Sequence, residues 1–407
     1  MNTKQTVSLC MIVKDEEDCL LAAIQSVRNI TDELIVIDTG STDRTPQLAL
    51  ASGAKLFYFA WTKDFSEARN FALKQASSDW ILVLDADEVL ESVSREAFNE
   101  LLNNVEIEGY FLRIKNVLGS NLGESSDQVV RLFRNKSVYQ FEGAIHEQVA
   151  PCILRANNGK GLSLAPLTLN HYGYLKDRLQ SKDKFSRNSG IIHKELVRDP
   201  NNPFLLHCLG IEYYQQNSIA VGLKYLTKAL VHMSGNEGYF KDVLLNISLG
   251  YLRLKETTKL IDFISKALSM YPDQTDFLFL RGTAYLYQAN YREAAVDFNH
   301  FLEITESKTS ASNSDNTKSV AHNFLTLTLK EIHLCCLVIE HPDMQTVHFN
   351  TKDKLSIALK EGLLILCNAL LSNSRENGLP LKGVDDYETS CSPCPSKSML
   401  QNNCENY

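Results

Sequence analysis

Apolar residues run almost unbroken through Val7–Val13 and through Leu34–Ile37. A third run, Ile81–Leu84, stops abruptly at Asp85-Ala86-Asp87-Glu88. Runs of this length between polar breaks predict strands buried on both faces. Between them the period changes. Apolar positions recur at helical spacing from Cys19 to Val27, and helices are predicted over Asp43–Ala51 and Asp64–Ala76, with a further strand over Lys55–Phe59. Gly40 permits a tight turn after the strand Glu33–Asp38, and Ser41, Thr42 or Asp43 can cap the helix that follows. Repeated alternation of strand and helix is the pattern of βαβ units, so an α/β domain with a parallel sheet is expected. The last apolar run of this half is Leu162–Leu169.

After Tyr174 the pattern becomes helical throughout. Lys176–Arg198 is charged and helical, ending before Pro200. Leu209-Gly-Ile-Glu-Tyr213, Leu249-Gly-Tyr-Leu-Arg253 and Arg281-Gly-Thr-Ala-Tyr285 then share one plan, each followed by a small residue at Ala229, Ala267 or Ala294. The glycines bracket the tetratricopeptide period of about 34 residues, and units of this kind bury their faces only by stacking. Ser307–Ser319 reads as a loop, Val320–Ile339 and Leu355–Leu371 as closing helices, and the polar stretch from Asp385 to Tyr407 as a disordered tail. The expected division is 1–175 for the α/β domain, 176–200 for a connecting helix, 201–375 for the repeats and 376–407 for the tail.

Composition narrows the classes of function. The 407 residues carry a net charge of −8 and no basic cluster with interleaved aromatics, which argues against a nucleic-acid partner. No apolar run is long enough to span a bilayer, and the polar start Met1–Thr6 lacks a signal-type core, so a cytoplasmic enzyme is expected. Cys10, Cys19, Cys152, Cys208, Cys335, Cys336 and Cys367 lie in apolar patterns and read as reduced core residues, while Cys391-Ser-Pro-Cys394 lacks the second pair that zinc needs. Walker loops, G-x-G-x-x-G and G-x-S-x-G are all missing from the sequence.

The acidic stop after Leu84 is the chemical signal. Chain leaving the carboxyl end of a parallel strand is where open α/β sheets bind ligands. Paired carboxylates there need a cation, and hard oxygen donors suit Mg²⁺ or Mn²⁺ bridged to substrate phosphates. Asp38, ending the second strand, can accept a hydrogen bond from a uracil N–H, or can instead cap the turn to Asp43. Asp15, ending the first, can contact a nucleotide from the other side or serve as a helix N-terminal charge. Arg69 has a fork that fits a diphosphate, with pairing to nearby carboxylates as the alternative. His146 and His171 are candidates for a third metal ligand, and His171 is preferred. In Phe141–Glu147 an acid emerges among apolar residues, where a general base can sit.

Ser8-Leu-Cys-Met-Ile-Val-Lys-Asp-Glu16, Val36-Ile-Asp-Thr-Gly-Ser-Thr-Asp43, Asp64-Phe-Ser-Glu-Ala-Arg-Asn70 and Leu84-Asp-Ala-Asp-Glu88 resemble, in order, the motifs of family 2 nucleotide-sugar glycosyltransferases with a GT-A fold. The similarity extends to the subgroup in which tetratricopeptide-like helices follow, which includes bacteriocin peptide glycosyltransferases of the sublancin S-glycosyltransferase type. The resemblance implies a Rossmann-like, mostly parallel GT-A domain joined to an all-α solenoid. It implies a metal-dependent, inverting transfer from a nucleotide sugar, a UDP-hexose. Asp38 would then face uracil, Asp85 ribose, Asp87 the metal with Asp85 and His171 as its further ligands, and Glu147 would be the base, with Glu142 and Asp127 as alternatives. Glu147 has a structural alternative, an ion pair with Arg131 or Arg134. The expected acceptor is a Cys, Ser or Thr side chain of a peptide, or else a lipid- or wall-linked saccharide. The repeats would hold a peptide, form a homodimer or brace the domain. The rival class is a repeat scaffold whose catalytic domain is inactive.

Overall fold

A computed structural model describes residues 5–116, 125–172 and 178–311. Its described residues form two compact units, one running to Pro200 and the other starting at Asn201. The first contains an eight-stranded sheet of β1 (Val7–Val13), β2 (Glu33–Asp38), β3 (Lys55–Tyr58), β4 (Trp80–Val83), β5 (Glu88–Leu90), β6 (Gly109–Asn116), β7 (Ser125–Arg134) and β8 (Leu162–His171). The spatial order is β3-β2-β1-β4-β7-β6-β8-β5. The pairings β3–β2, β2–β1, β1–β4 and β6–β8 are parallel, whereas β7 runs antiparallel to both β4 and β6, and β5 antiparallel to β8. The expected α/β class is the one observed.

Residues of β1, β2 and β4 are buried almost without a break, as helices covering both faces require. The first of these, α1 (Leu20–Val27), presents Leu20, Ala23, Ile24 and Val27, at i, i+3, i+4 and i+7, which makes one apolar stripe. The second, α2 (Thr45–Ala51), starts two residues later than the sequence suggests, because Asp43 turns outward: its Oδ1 accepts Thr45 N–H at 2.9 Å and its Oδ2 accepts Glu17 N–H at 3.1 Å. The third, α3 (Phe65–Gln75), is capped by Asp64, which accepts Glu67 N–H at 3.1 Å. Its inward stripe of Ala68, Arg69 and Ala72 contains a charge, an anomaly that the site explains. Two short helices, α4 (Arg95–Leu102) and α5 (Ala150–Ala156), and the long α6 (Arg178–Arg198) complete this unit.

The second unit consists of three helical hairpins: α7 (Pro203–Gln215) with α8 (Ile219–His232), α9 (Phe240–Arg253) with α10 (Thr257–Met270), and α11 (Thr275–Tyr287) with α12 (Tyr291–Ala311). Gly210 shows why the repeat plan places glycine on the first helix. A Cβ there would lie 2.7 Å from Leu226 Cγ and 3.0 Å from the Gly222 carbonyl, so the first two helices touch through bare backbone. Inside each hairpin, the turn passes through one residue with φ near +59°: Asn217, Lys255 and Ala289. Two expectations need correction. The loop expected from Ser307 does not begin there, since α12 continues to Ala311. Cys19 and Cys152 are only half-buried, whereas Cys10 and Cys208 are core residues. The expected closing helices and the Cys-containing tail lie outside the described residues. Among the described residues no helix is long and apolar enough to cross a membrane.

Candidate active site

The carboxyl ends of β1, β2 and β4 lie side by side, and each delivers an acid from its end or from the loop beyond. On β2, Asp38 is 1 % exposed. Its Oδ1 accepts the N–H groups of Gly40 and Ser41, both at 2.7 Å, in a turn that Gly40 makes with φ +110°. Its Oδ2 is buried with no hydrogen-bond partner. A buried, ionisable acceptor without a donor is costly, and it fits a ligand N–H. Beyond β1, Asp15 has φ +54° and accepts Thr42 N–H at 2.7 Å, tying the two loops together.

Arg69 connects the third acid to a distant segment. Its Nη2 donates to Asp85 Oδ1 at 2.8 Å and its Nε to Glu147 Oε1 at 2.5 Å. Its Nη1 is buried without a hydrogen-bond partner. This is the charge in the apolar stripe of α3: the helix hangs a guanidinium over the end of the sheet. The loop carrying Glu147 is fixed to the same helix. Asn70 donates to the Phe141 carbonyl at 2.9 Å and accepts Phe141 N–H at 2.8 Å, and Phe65 N–H reaches the Ala144 carbonyl at 2.9 Å. Reciprocal backbone bonds between Glu142 and Gln148, each 3.0 Å, close the loop, and its turn passes through Gly143 and through His146 with φ +55°.

Asp85 has a second guanidinium. Arg131, on β7, donates through Nη2 to Asp85 Oδ2 at 2.8 Å and to Glu88 Oε1 at 2.6 Å. Glu88 Oε2 accepts Asp85 N–H at 3.0 Å. Burial opposes the charge on Asp85, but Arg131 and Arg69 outweigh it and hold its pKa far below the carboxylate range. Even so, Asp85 keeps 37 % of its side-chain surface open, so the pair of arginines grips it from one side only. On Glu88, burial and then the charge of Asp85 act against ionisation and raise its pKa, with Arg131 opposing.

Asp87 faces the other way. Its Oδ2 lies 3.3 Å from His171 Nε2, and its carbonyl accepts Tyr172 N–H at 2.9 Å. His171 is placed by the β5–β8 ladder, which pairs it with Glu88. Burial disfavours the charged imidazole, yet its hydrogen bond to Asp87 and the charges of Asp87, Glu88 and Asp85 raise its pKa. By contrast, burial lowers that of His146. Among the described residues no group of three His, Cys, Asp or Glu converges in the way a protein-only metal cage requires. Asp87 and His171 offer a carboxylate and an imidazole, which suits an ion that takes its remaining ligands from substrate phosphates.

The structure thus brings Asp85, Arg69 and Glu147 together, sets Asp87 against His171, and puts Asp38 and Asp15 on the adjoining loops. Glu142 pairs with Arg155 on the far side of the loop, and Glu147 pairs with Arg69 rather than with Arg131 or Arg134. Sequence reasoning gave Glu88 no role and Arg131 only that of a possible partner for Glu147. Glu88 was visible as the third acid after Leu84, but its partner lies 43 residues away on a strand that the pattern did not reveal.

Residues 8–142 match the model for glycosyl transferase family 2. This domain belongs to that family. A TPR repeat-containing protein of Synechococcus elongatus is 34 % identical over 269 residues, which is 64 % of this chain and 66 % of its own. The SPbeta prophage-derived glycosyltransferase SunS of Bacillus subtilis is 23 % identical over 286 residues, 69 % of this chain and 67 % of its own. The matches therefore span about two thirds of the length of these relatives. A solved structure, glucosyl-3-phosphoglycerate synthase from Mycobacterium tuberculosis in complex with Mn²⁺ and UDP-glucose, is 18 % identical, with 48 % of this chain and 79 % of that chain covered and a TM-score of 0.33.

Proposed function

We propose that this family 2 domain is the catalytic part of an inverting glycosyltransferase that uses a UDP-sugar, a divalent cation and, as acceptor, a Cys, Ser or Thr side chain of a peptide. The observation that carries the reading is the convergence of Asp85 and Glu147 on one buried guanidinium at the carboxyl edge of the sheet. Asp38 Oδ2 takes the uracil N3–H. Asp87 and His171 would hold Mg²⁺ or Mn²⁺, with Asp85 behind them. When bound, the ion supplies positive charge opposite the diphosphate leaving group. Glu147 receives the acceptor's proton as the acceptor sulfur or oxygen forms its bond to the anomeric carbon. The bond from that carbon to the phosphate oxygen breaks, and the nucleoside diphosphate leaves with the electron pair. One displacement inverts the centre. Arg69, ion-paired to Glu147 through Nε, fixes where that carboxylate sits beside Asp85. SunS, a glycosyltransferase by name, supports the transferase reading, and the resemblance of the sequence motifs to peptide glycosyltransferases motivates the peptide acceptor.

Two measurements test the reading. Calorimetry with UDP should show binding that strengthens with Mn²⁺; equal binding with and without the metal would remove the cation from it. Mass spectrometry of peptides incubated with several nucleotide sugars should find a hexose adduct on Cys, Ser or Thr. Transfer only to a lipid- or wall-linked saccharide would replace the acceptor, and UDP binding without transfer to any acceptor would favour the scaffold.

A further inference from the structure

We propose that Arg131 and Glu88 are positioning residues that hold the acidic loop so that Asp87 faces His171. The inference rests on the metal-dependent reading above. One nitrogen of Arg131 bridges Asp85 Oδ2 at 2.8 Å and Glu88 Oε1 at 2.6 Å. Glu88 Oε2 returns to the backbone N–H of Asp85 at 3.0 Å, and Glu88 N–H donates to the Asp85 carbonyl at 3.1 Å. These bonds form a ring that pins both ends of the tetrapeptide 85–88. Asp87 lies inside the pinned stretch and is the acid of the loop that the ring does not use. Its carbonyl is held from the other side by Tyr172 N–H at 2.9 Å. With Glu88 in register opposite His171, the side chain of Asp87 is left 3.3 Å from the imidazole.

Stability alone does not explain the arrangement. Arg131 and Glu88 are both buried, and Arg131 Nε is buried without a hydrogen-bond partner. Buried ion pairs are often no better for stability than apolar residues of the same volume. Groups that orient metal ligands from behind typically control affinity 10–100-fold.

The test uses the full chain with Glu88→Gln, Arg131→Lys and Arg131→Met. The Mn²⁺ concentration at half-maximal UDP binding should rise about 10–100-fold in each, with UDP binding regained at saturating Mn²⁺. A crystal structure of Arg131→Met should show Asp87 and His171 beyond hydrogen-bond distance. If Arg131→Met does not fold, Glu88→Gln, which keeps its volume, carries both measurements. Folded variants with a Mn²⁺ midpoint within twofold of wild type, or crystals that retain the 3.3 Å spacing, overturn the proposal. Should wild-type UDP binding prove independent of Mn²⁺, the metal reading fails by itself. The crystal spacing then decides the positioning role alone.

Discussion

Arg69 Nε lies 2.5 Å from Glu147 Oε1, across 78 residues of sequence, and the same guanidinium reaches Asp85. The acid proposed to take the acceptor's proton and an acid beside the donor are therefore held by one rigid group. Glu147→Gln keeps a hydrogen bond to Arg69 but cannot accept a proton. Transfer to serine should fall by about 10²–10⁴ in kcat. A cysteine acceptor, whose thiol ionises far more readily, should lose much less. Steady-state rates on a matched pair of Ser and Cys peptides check this, and equal losses on both would separate Glu147 from proton transfer.

Asp38→Asn tests the base-recognition role. An amide oxygen can still accept from Gly40 and Ser41, leaving an NH₂ group where Oδ2 now lacks a partner. That donor would meet the uracil N3–H head-on. UDP affinity should drop by about 10–150-fold, the range of a lost hydrogen bond to a charged group. CDP, whose cytosine N3 is an acceptor, should lose less. Calorimetric titration of both nucleotides reads the difference.

A pH effect arises at the opposite end of the sheet. Burial opposes the charge of Glu33, but hydrogen bonds from Lys55, the Ser77 amide, and the Ser8 and Ser77 hydroxyls hold its pKa down to about 2. The folded value lies below the unfolded one. Its stabilisation is therefore complete above the ordinary glutamate range and is lost as pH falls towards 2. Glu33→Gln should cost about 1–2 kcal/mol near pH 7, after allowance for the exposed Lys55. The gap to wild type should narrow below about pH 4. Urea midpoints at pH 7, 5 and 3 measure it.

Two substitutions in the helical hairpins should act in opposite directions. Gly210→Ala forces a methyl against Leu226 and the Gly222 carbonyl and should destabilise by about 1–3 kcal/mol. Ala289→Gly relieves a left-handed residue at φ +59° and should gain up to about 1 kcal/mol. Thermal melting of both variants tests the pair.

The strands β1, β2 and β4 were readable because a doubly covered strand is continuously apolar, and the acids at their ends stand out against that background. Gly210 and its counterparts were readable because the hairpins repeat. The strands β6 and β7 were not. Arg113, Lys115, Gln128 and Arg131 interrupt their apolar positions, and β7 pays for its buried arginine with partners on other elements. For the same reason the ring through Arg131 and Glu88 was illegible: it is closed by sheet order, which local pattern does not encode. Between His146 and His171, the β5–β8 register decided which one meets Asp87. The extension of α12 through Ser307 shows a polar helix tail mistaken for a loop.

The order of the sheet has a geometric consequence for the acidic loop. In the order of pairing, β4 and β5 are separated by β7, β6 and β8. On a flat sheet that gap would be four strand spacings, about 19 Å. The five residue steps from Val83 to Glu88 reach at most about 18 Å when fully stretched. They are not stretched, because Glu88 N–H folds back onto the Asp85 carbonyl. The sheet must therefore curl until its last strand returns towards its middle, and Asp85-Ala86-Asp87-Glu88 is the short strap that sets how tightly it does so.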